Sequence, residues 1–138
     1  MKKYLPILLA VFVLAGCDRK TKEPETDPEI TAATQVFLKV KGSTVFRYAD
    51  GTTQLGYNDK RREFRAGNDD MSSYFILTCS ELPVREGQEI RADLCWRSGS
   101  TVKTSNGLSF KVVGYESTGL VRLWCASDKT GAVVRILN

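Results

Sequence analysis

From Glu89 to Arg97 the chain alternates without a break. Ile90, Ala92, Leu94 and Trp96 are separated by Arg91, Asp93 and Cys95 and flanked by Glu89 and Arg97. A period of two turns successive side chains to opposite faces, so this stretch is a strand with one dry and one wet face. A helix would scatter the same apolar residues around its whole circumference and bury none of them well.

The same signal recurs along the chain between turn residues. Strands are expected over Gln35 to Val40, Thr44 to Tyr48, Gln54 to Tyr57, Arg61 to Arg65 and Tyr74 to Cys79. Further strands are expected around Leu108, Phe110 and Val112, over Leu120 to Ala126, and over Ala132 to Leu137. Asp50-Gly51 reads as a β-hairpin turn, because both residues tolerate positive φ. Residues 66–70 read as a loop. No run of ten residues carries a capped 3.6-residue apolar period, so no helix is expected. The expected fold is all-β: one small domain of short antiparallel strands, barrel-like, with a compact β-sandwich as the alternative. Its bounds are residues 34–138, enough for one core.

The first residues have a different character. Met1-Lys2-Lys3 is basic, and Leu5 to Ala15 is apolar, too short to span a bilayer. The run closes on Leu14-Ala15-Gly16-Cys17. This resembles the lipobox of bacterial lipoproteins, a Leu and two small residues before a Cys. The resemblance implies a signal peptide over residues 1–16, cleavage before Cys17 and acylation of the Cys17 thiol, with palmitate-type chains as the membrane anchor. It covers only the first seventeen residues. Residues 17–33 then hold almost no apolar side chains, but Pro24, Pro28 and mostly acidic charge, the composition of a disordered linker. The implied location is the cell envelope, with the outer membrane or cell surface favoured over the inner membrane.

Charge and residue types narrow the function. The chain carries a formal +4. This mild, scattered excess does not read as a nucleic-acid surface. Histidine is absent, which removes Ser-His and Cys-His nucleophile pairs and His-ligated zinc. No phosphate-binding glycine loop is present. Cys79, Cys95 and Cys125 are left after Cys17. Alternation turns Cys79 and Cys125 inward and Cys95 outward; buried free thiols are the simpler expectation, and Cys79 with Cys125 is the pairing if a disulfide forms. Asp69, Asp70, Glu81 and Asp93 are the carboxylates available for acid–base work, and Asp69-Asp70 for a hard cation, though a solvated turn accounts for that pair. Lys60-Arg61-Arg62 with Arg65 forms a basic cluster interleaved with Asp59 and Glu63. Trp124 alternates out of phase with Val121, Leu123 and Cys125, so it falls on the outer face beside Arg122, a pair suited to a sugar ring or a protein contact; the simpler expectation is that this strand is buried on both faces or that Trp124 covers an end of the barrel. Trp96 sits on an inward face and reads as core.

The expectation is therefore a membrane-anchored, non-enzymatic binding or envelope-assembly module with a protein or glycan partner. No catalytic residue, metal ligand or cofactor is assigned. Two alternatives stand beside it. One is an inhibitor or protective lipoprotein acting on a hydrolase through a projecting loop (Gly67 to Ser72 or Ser98 to Gly107). The other is a small carboxylate-dependent glycan hydrolase.

Overall fold

The computed structural model describes residues 26–137. The expected leader, the cleavage site, Cys17 and the linker up to residue 25 lie outside the described residues. One short helix, α1 (Pro28–Ala32), precedes nine strands: β1 (Phe37–Val40), β2 (Ser43–Arg47), β3 (Thr53–Asn58), β4 (Glu63–Asn68), β5 (Ser73–Cys79), β6 (Glu89–Ser98), β7 (Thr101–Tyr115), β8 (Leu120–Cys125) and β9 (Thr130–Arg135).

All nine strands form one antiparallel sheet in the order β2-β1-β9-β8-β7-β6-β5-β4-β3. The sheet curls into a half-barrel. The barrel-like expectation holds and the two-sheet sandwich does not. From β3 to β9 the chain is a continuous meander, in which each strand pairs with the next. β1 then adds to the far side of β9, so the first and last strands of the domain are neighbours.

The inner face is built from the alternating positions. One row runs Lys103–Trp96–Phe75–Ala66–Leu55 across β7, β6, β5, β4 and β3. A second row joins Leu94, Leu77, Phe64 and Tyr57. Phe46 of β2 reaches over from the opposite wall and meets Phe75 edge to face, with ring centroids 5.5 Å apart. This contact, not a ladder of hydrogen bonds, holds the two walls together.

The Asp50-Gly51 turn departs from expectation. Gly51 adopts φ 80°, so a turn is there, but β2 and β3 are the two outer strands of the sheet and do not pair. The segment crosses from one sheet edge to the other. Three bounds also differ. Ala66 to Asn68 belong to β4 rather than to a loop. β7 begins at Thr101, well before the apolar alternation that marks its second half. And the last part of the expected linker, Pro28–Ala32, forms α1, although no helix was expected. Asp27 caps this helix by accepting from the Glu29 amide at 2.8 Å, and Pro28 opens it. Ile30, a lone apolar residue in an acidic stretch, is fully buried and anchors α1 to the outer face of the sheet.

All three cysteines in the domain are free thiols. Cys79 and Cys125 both face the core, as alternation requires, but each closes its own strand and two strands, β6 and β7, lie between β5 and β8. Burial pushes the Cys79 thiol up to about 12.

Candidate functional site

Two clefts deserve comparison with the residues singled out above. The first opens at the mouth of the half-barrel, between the β1–β2 turn and the β6–β7 hairpin, with a volume of about 530 Å³. Val40, Val45 and Trp96 line its apolar part, and Lys41, Ser43 and Lys103 its polar part. The register explains the mixture. Lys103 stands directly opposite Trp96 in the ladder, so both side chains share the concave face. Lys41 is partly engaged by Asp128 at 2.8 Å, and with Thr130 it holds that carboxyl below its usual range. Lys103 has no ion-pair partner among the described residues. A cation beside an aromatic wall, at the rim of a cavity of ligand size, suits a partner with a negative group on a flat or apolar body.

The second cleft lies on the outer face, against Trp124, and holds about 290 Å³. Trp124 does point outward, away from Val121, Leu123 and Cys125. It is not an open stacking surface, however. α1 covers this region, and Trp124 packs with Ile30, Phe37, Leu120 and Val133, leaving 8% of the residue exposed. Arg122 is likewise committed: Nε donates to the Ala33 carbonyl at 3.0 Å, and Nη2 pairs with Glu116. The speculative binding pair Trp124 and Arg122 thus becomes the seat and the clasp of α1. The sequence placed both residues on the correct face, and of its two readings of Trp124 the strand buried on both faces is the one found, with α1 as the cover. One anomaly persists here. The Trp124 Nε1 donor is buried without a hydrogen-bond partner, a defect that costs about 1–3 kcal/mol in a folded protein.

A third cleft, beside α1 and β1, has its charges already satisfied. Arg47 lies 4.6 Å over the Phe37 ring and pairs with Glu29 at 3.2 Å.

The carboxylates named from sequence are dispersed. Asp69 accepts from Gln54, and Asp70 accepts from the Ser72 amide, which with the Ser72 hydroxyl holds it below its ordinary value. Glu81 accepts from buried Gln88 at 2.9 Å, and Asp93 accepts the Gly107 amide at 2.8 Å beside the β6–β7 bulge. Asp69 and Asp70 share the β4–β5 turn, while Glu81 and Asp93 support a loop and a bulge elsewhere. Among the described residues no group of three or more His, Cys, Asp or Glu side chains is arranged to hold a metal ion. In the basic cluster, Arg65 pairs with Glu63 at 3.1 Å and Arg62 donates to the Cys79 carbonyl at 3.0 Å. The mouth residues Lys103 and Ser43 were not legible as a site, since the β1–β2 turn and the β6–β7 hairpin meet only in the curled sheet.

No family model, no curated protein and no solved structure matches this chain.

Proposed function

We propose that the chain is a lipid-anchored binding module of the bacterial envelope, non-enzymatic, that engages its partner at the mouth of the half-barrel. The anchor rests on the resemblance of Leu14-Ala15-Gly16-Cys17 to a lipobox. The observation that carries the binding reading is Lys103, without an ion-pair partner among the described residues and set beside Trp96 on the concave face. The partner presents a negative group next to a ring or apolar body, as an acidic glycan does.

Two measurements test this. Cys17→Ala is expected to move the protein from the membrane fraction to the soluble fraction of the envelope; unchanged membrane association removes the anchor. Titration with an acidic oligosaccharide, against a neutral one of equal length, is expected to show saturable binding that Lys103→Glu weakens at least tenfold. Equal binding of both sugars, or an unaffected Lys103→Glu variant, sinks the mouth as the binding site.

One observation favours the inhibitor alternative as a second reading. The tip of the β6–β7 hairpin is exposed along the first residues of β7, with Val102 54% exposed. A projecting hairpin of this kind fits an active-site cleft. That reading requires saturable 1:1 loss of activity in a hydrolase, relieved by Val102→Asp.

A further inference from the structure

The sheet ends on β2 at one side and on β3 at the other, and the two edges are not alike. Folded proteins keep edge strands from pairing with other chains by means of charge, proline or bulges. β2 is guarded in this way: its ladder with β1 is interrupted between Leu38 and Lys39, and Arg47 stands at its end. β3 is not. It carries neither charge nor proline and pairs with β4 through all six residues without a shift. Among the described strands it alone has no buried residue.

The outward backbone of β3 is open in a regular way. The Cys79 amide donates to the Arg62 carbonyl at 2.9 Å, in step with the β4–β5 ladder. Phe64 and Ala66 therefore turn their N–H and C=O groups to β5, while Arg65 and Gly67 turn theirs to Gly56 and Gln54 of β3. The alternate residues Leu55 and Tyr57 point both backbone groups away from β4, out of the sheet edge.

We propose that β3 is a self-association edge, at which two copies of this chain pair β3 to β3, antiparallel about a twofold axis at Leu55. Leu55 then faces the partner's Leu55 and the two exchange backbone hydrogen bonds, with Thr53 opposite the partner's Tyr57 on either side. The core-face row Trp96–Phe75–Ala66–Leu55 runs on into the same row of the second copy, which covers the half-buried Leu55. Charge selects a second copy as the occupant. This register sets Asp50 of each chain beside Lys60 of the other, and both side chains are exposed with no ion-pair partner among the described residues. Sliding the partner by two residues would centre Gly56 on Gly56 and turn Asp50 to Arg62, whose Nε already donates to the Cys79 carbonyl. No β3 residue lines the barrel mouth, so the pairing stands or falls separately from binding there.

Sedimentation equilibrium tests this on the full chain carrying Cys17→Ala, under reducing conditions and from micromolar to millimolar concentration. The expected result is a reversible monomer–dimer equilibrium. Asp50→Lys and Lys60→Asp are each expected to weaken it at least tenfold. The double variant Asp50→Lys/Lys60→Asp is expected to restore it, because the reversed charges meet again across the twofold axis. All three change exposed side chains and should keep the parent melting temperature. Hydrogen exchange gives a second readout: the Leu55 and Tyr57 amides should be protected in the dimer and exchange freely in either single variant. Four outcomes overturn the proposal: a monomer at every concentration, a dimer indifferent to the single charge reversals, a double variant that stays monomeric, or a Leu55 amide that exchanges as fast in the dimer as in the monomer.

Discussion

At the scale of single residues, the outer face is organised by an absence. Gly131 has no side chain, and a Cβ built there would stand 2.5 Å from Ile30 Cδ1 and Cγ1. Ile30 therefore settles onto the backbone of β9, where burying it contributes about 1.5–3 kcal/mol. Trp124 packs beside it in the same small cluster. Gly131→Ala is expected to destabilise the domain by about 1–3 kcal/mol through overpacking, read from denaturant midpoints. In an Ile30→Ala background most of that penalty should vanish, since the clashing group has gone. An equal cost in both backgrounds would place the strain elsewhere. Cys79 makes a second prediction at this scale. With its thiol pushed up to about 12 by burial, it should resist maleimide at pH 8 in the native protein and react once unfolded.

At the scale of elements, α1 is a latch too short to be stable by itself. Its hold on the sheet is apolar through Ile30 and ionic through Lys39, which reaches Asp27 at 2.6 Å and also Glu29. For Asp27, burial acts to raise the carboxyl, but the hydrogen bonds from Lys39 and the Glu29 amide, with the Lys39 charge, outweigh it and leave it low. The hydrogen bond and charge of Lys39, then Arg47, hold Glu29 low as well, and the two carboxylates in return raise Lys39. The signs set a window. The carboxylate contribution is complete above the ordinary values of 3.8 and 4.5 and is lost as pH falls below them, through the lowered folded-state values. The lysine contribution is complete below 10.5 and is lost only as pH rises through the raised value. Hydrogen exchange at the Ile30 amide, corrected for its intrinsic pH dependence, should therefore show constant protection from about pH 5 to 10 and loosening in acid. Lys39→Met should weaken protection within that window and flatten the acid limb. An unchanged acid limb would mean that the latch does not depend on this ion pair.

At the scale of the whole molecule, the half-barrel has two sheet edges, β2 and β3, and no ladder joins them. Closure of the interior falls to side chains that span it, chiefly Phe46 against Phe75. Phe75 is 1% exposed, so Phe75→Ala should cost about 3–5 kcal/mol. The loss should not be uniform. Amides of β2 should gain exchange before those of β6 and β7, because β2 loses its cross-barrel ring contact with Phe75 while the long hairpin keeps its ladder. Uniform loss across all strands would show that the seam opens only with global unfolding. The same geometry leaves the mouth accessible at one end, where the β1–β2 turn and the β6–β7 hairpin frame Lys103 and Trp96.

What the residues determined by themselves was local and periodic. Ile90 to Trp96 fixed both a strand and its dry face, and the same rule correctly assigned Val121, Leu123 and Cys125 inward and Trp124 outward. Alternation suffices there because the side-chain direction of a strand depends only on position parity. Tertiary structure decided what each face meets. Asp50-Gly51 makes the same local turn whether it closes a hairpin or carries the chain between sheet edges; only the pairing of β1 with β9 leaves β2 at an edge. The first half of β7 is polar and does not announce a strand; it is one because β6 supplies its ladder. Ile30 found its seat on a glycine at the far end of the chain, which no local pattern encodes, and that distant contact covered the tryptophan that parity alone had left facing solvent.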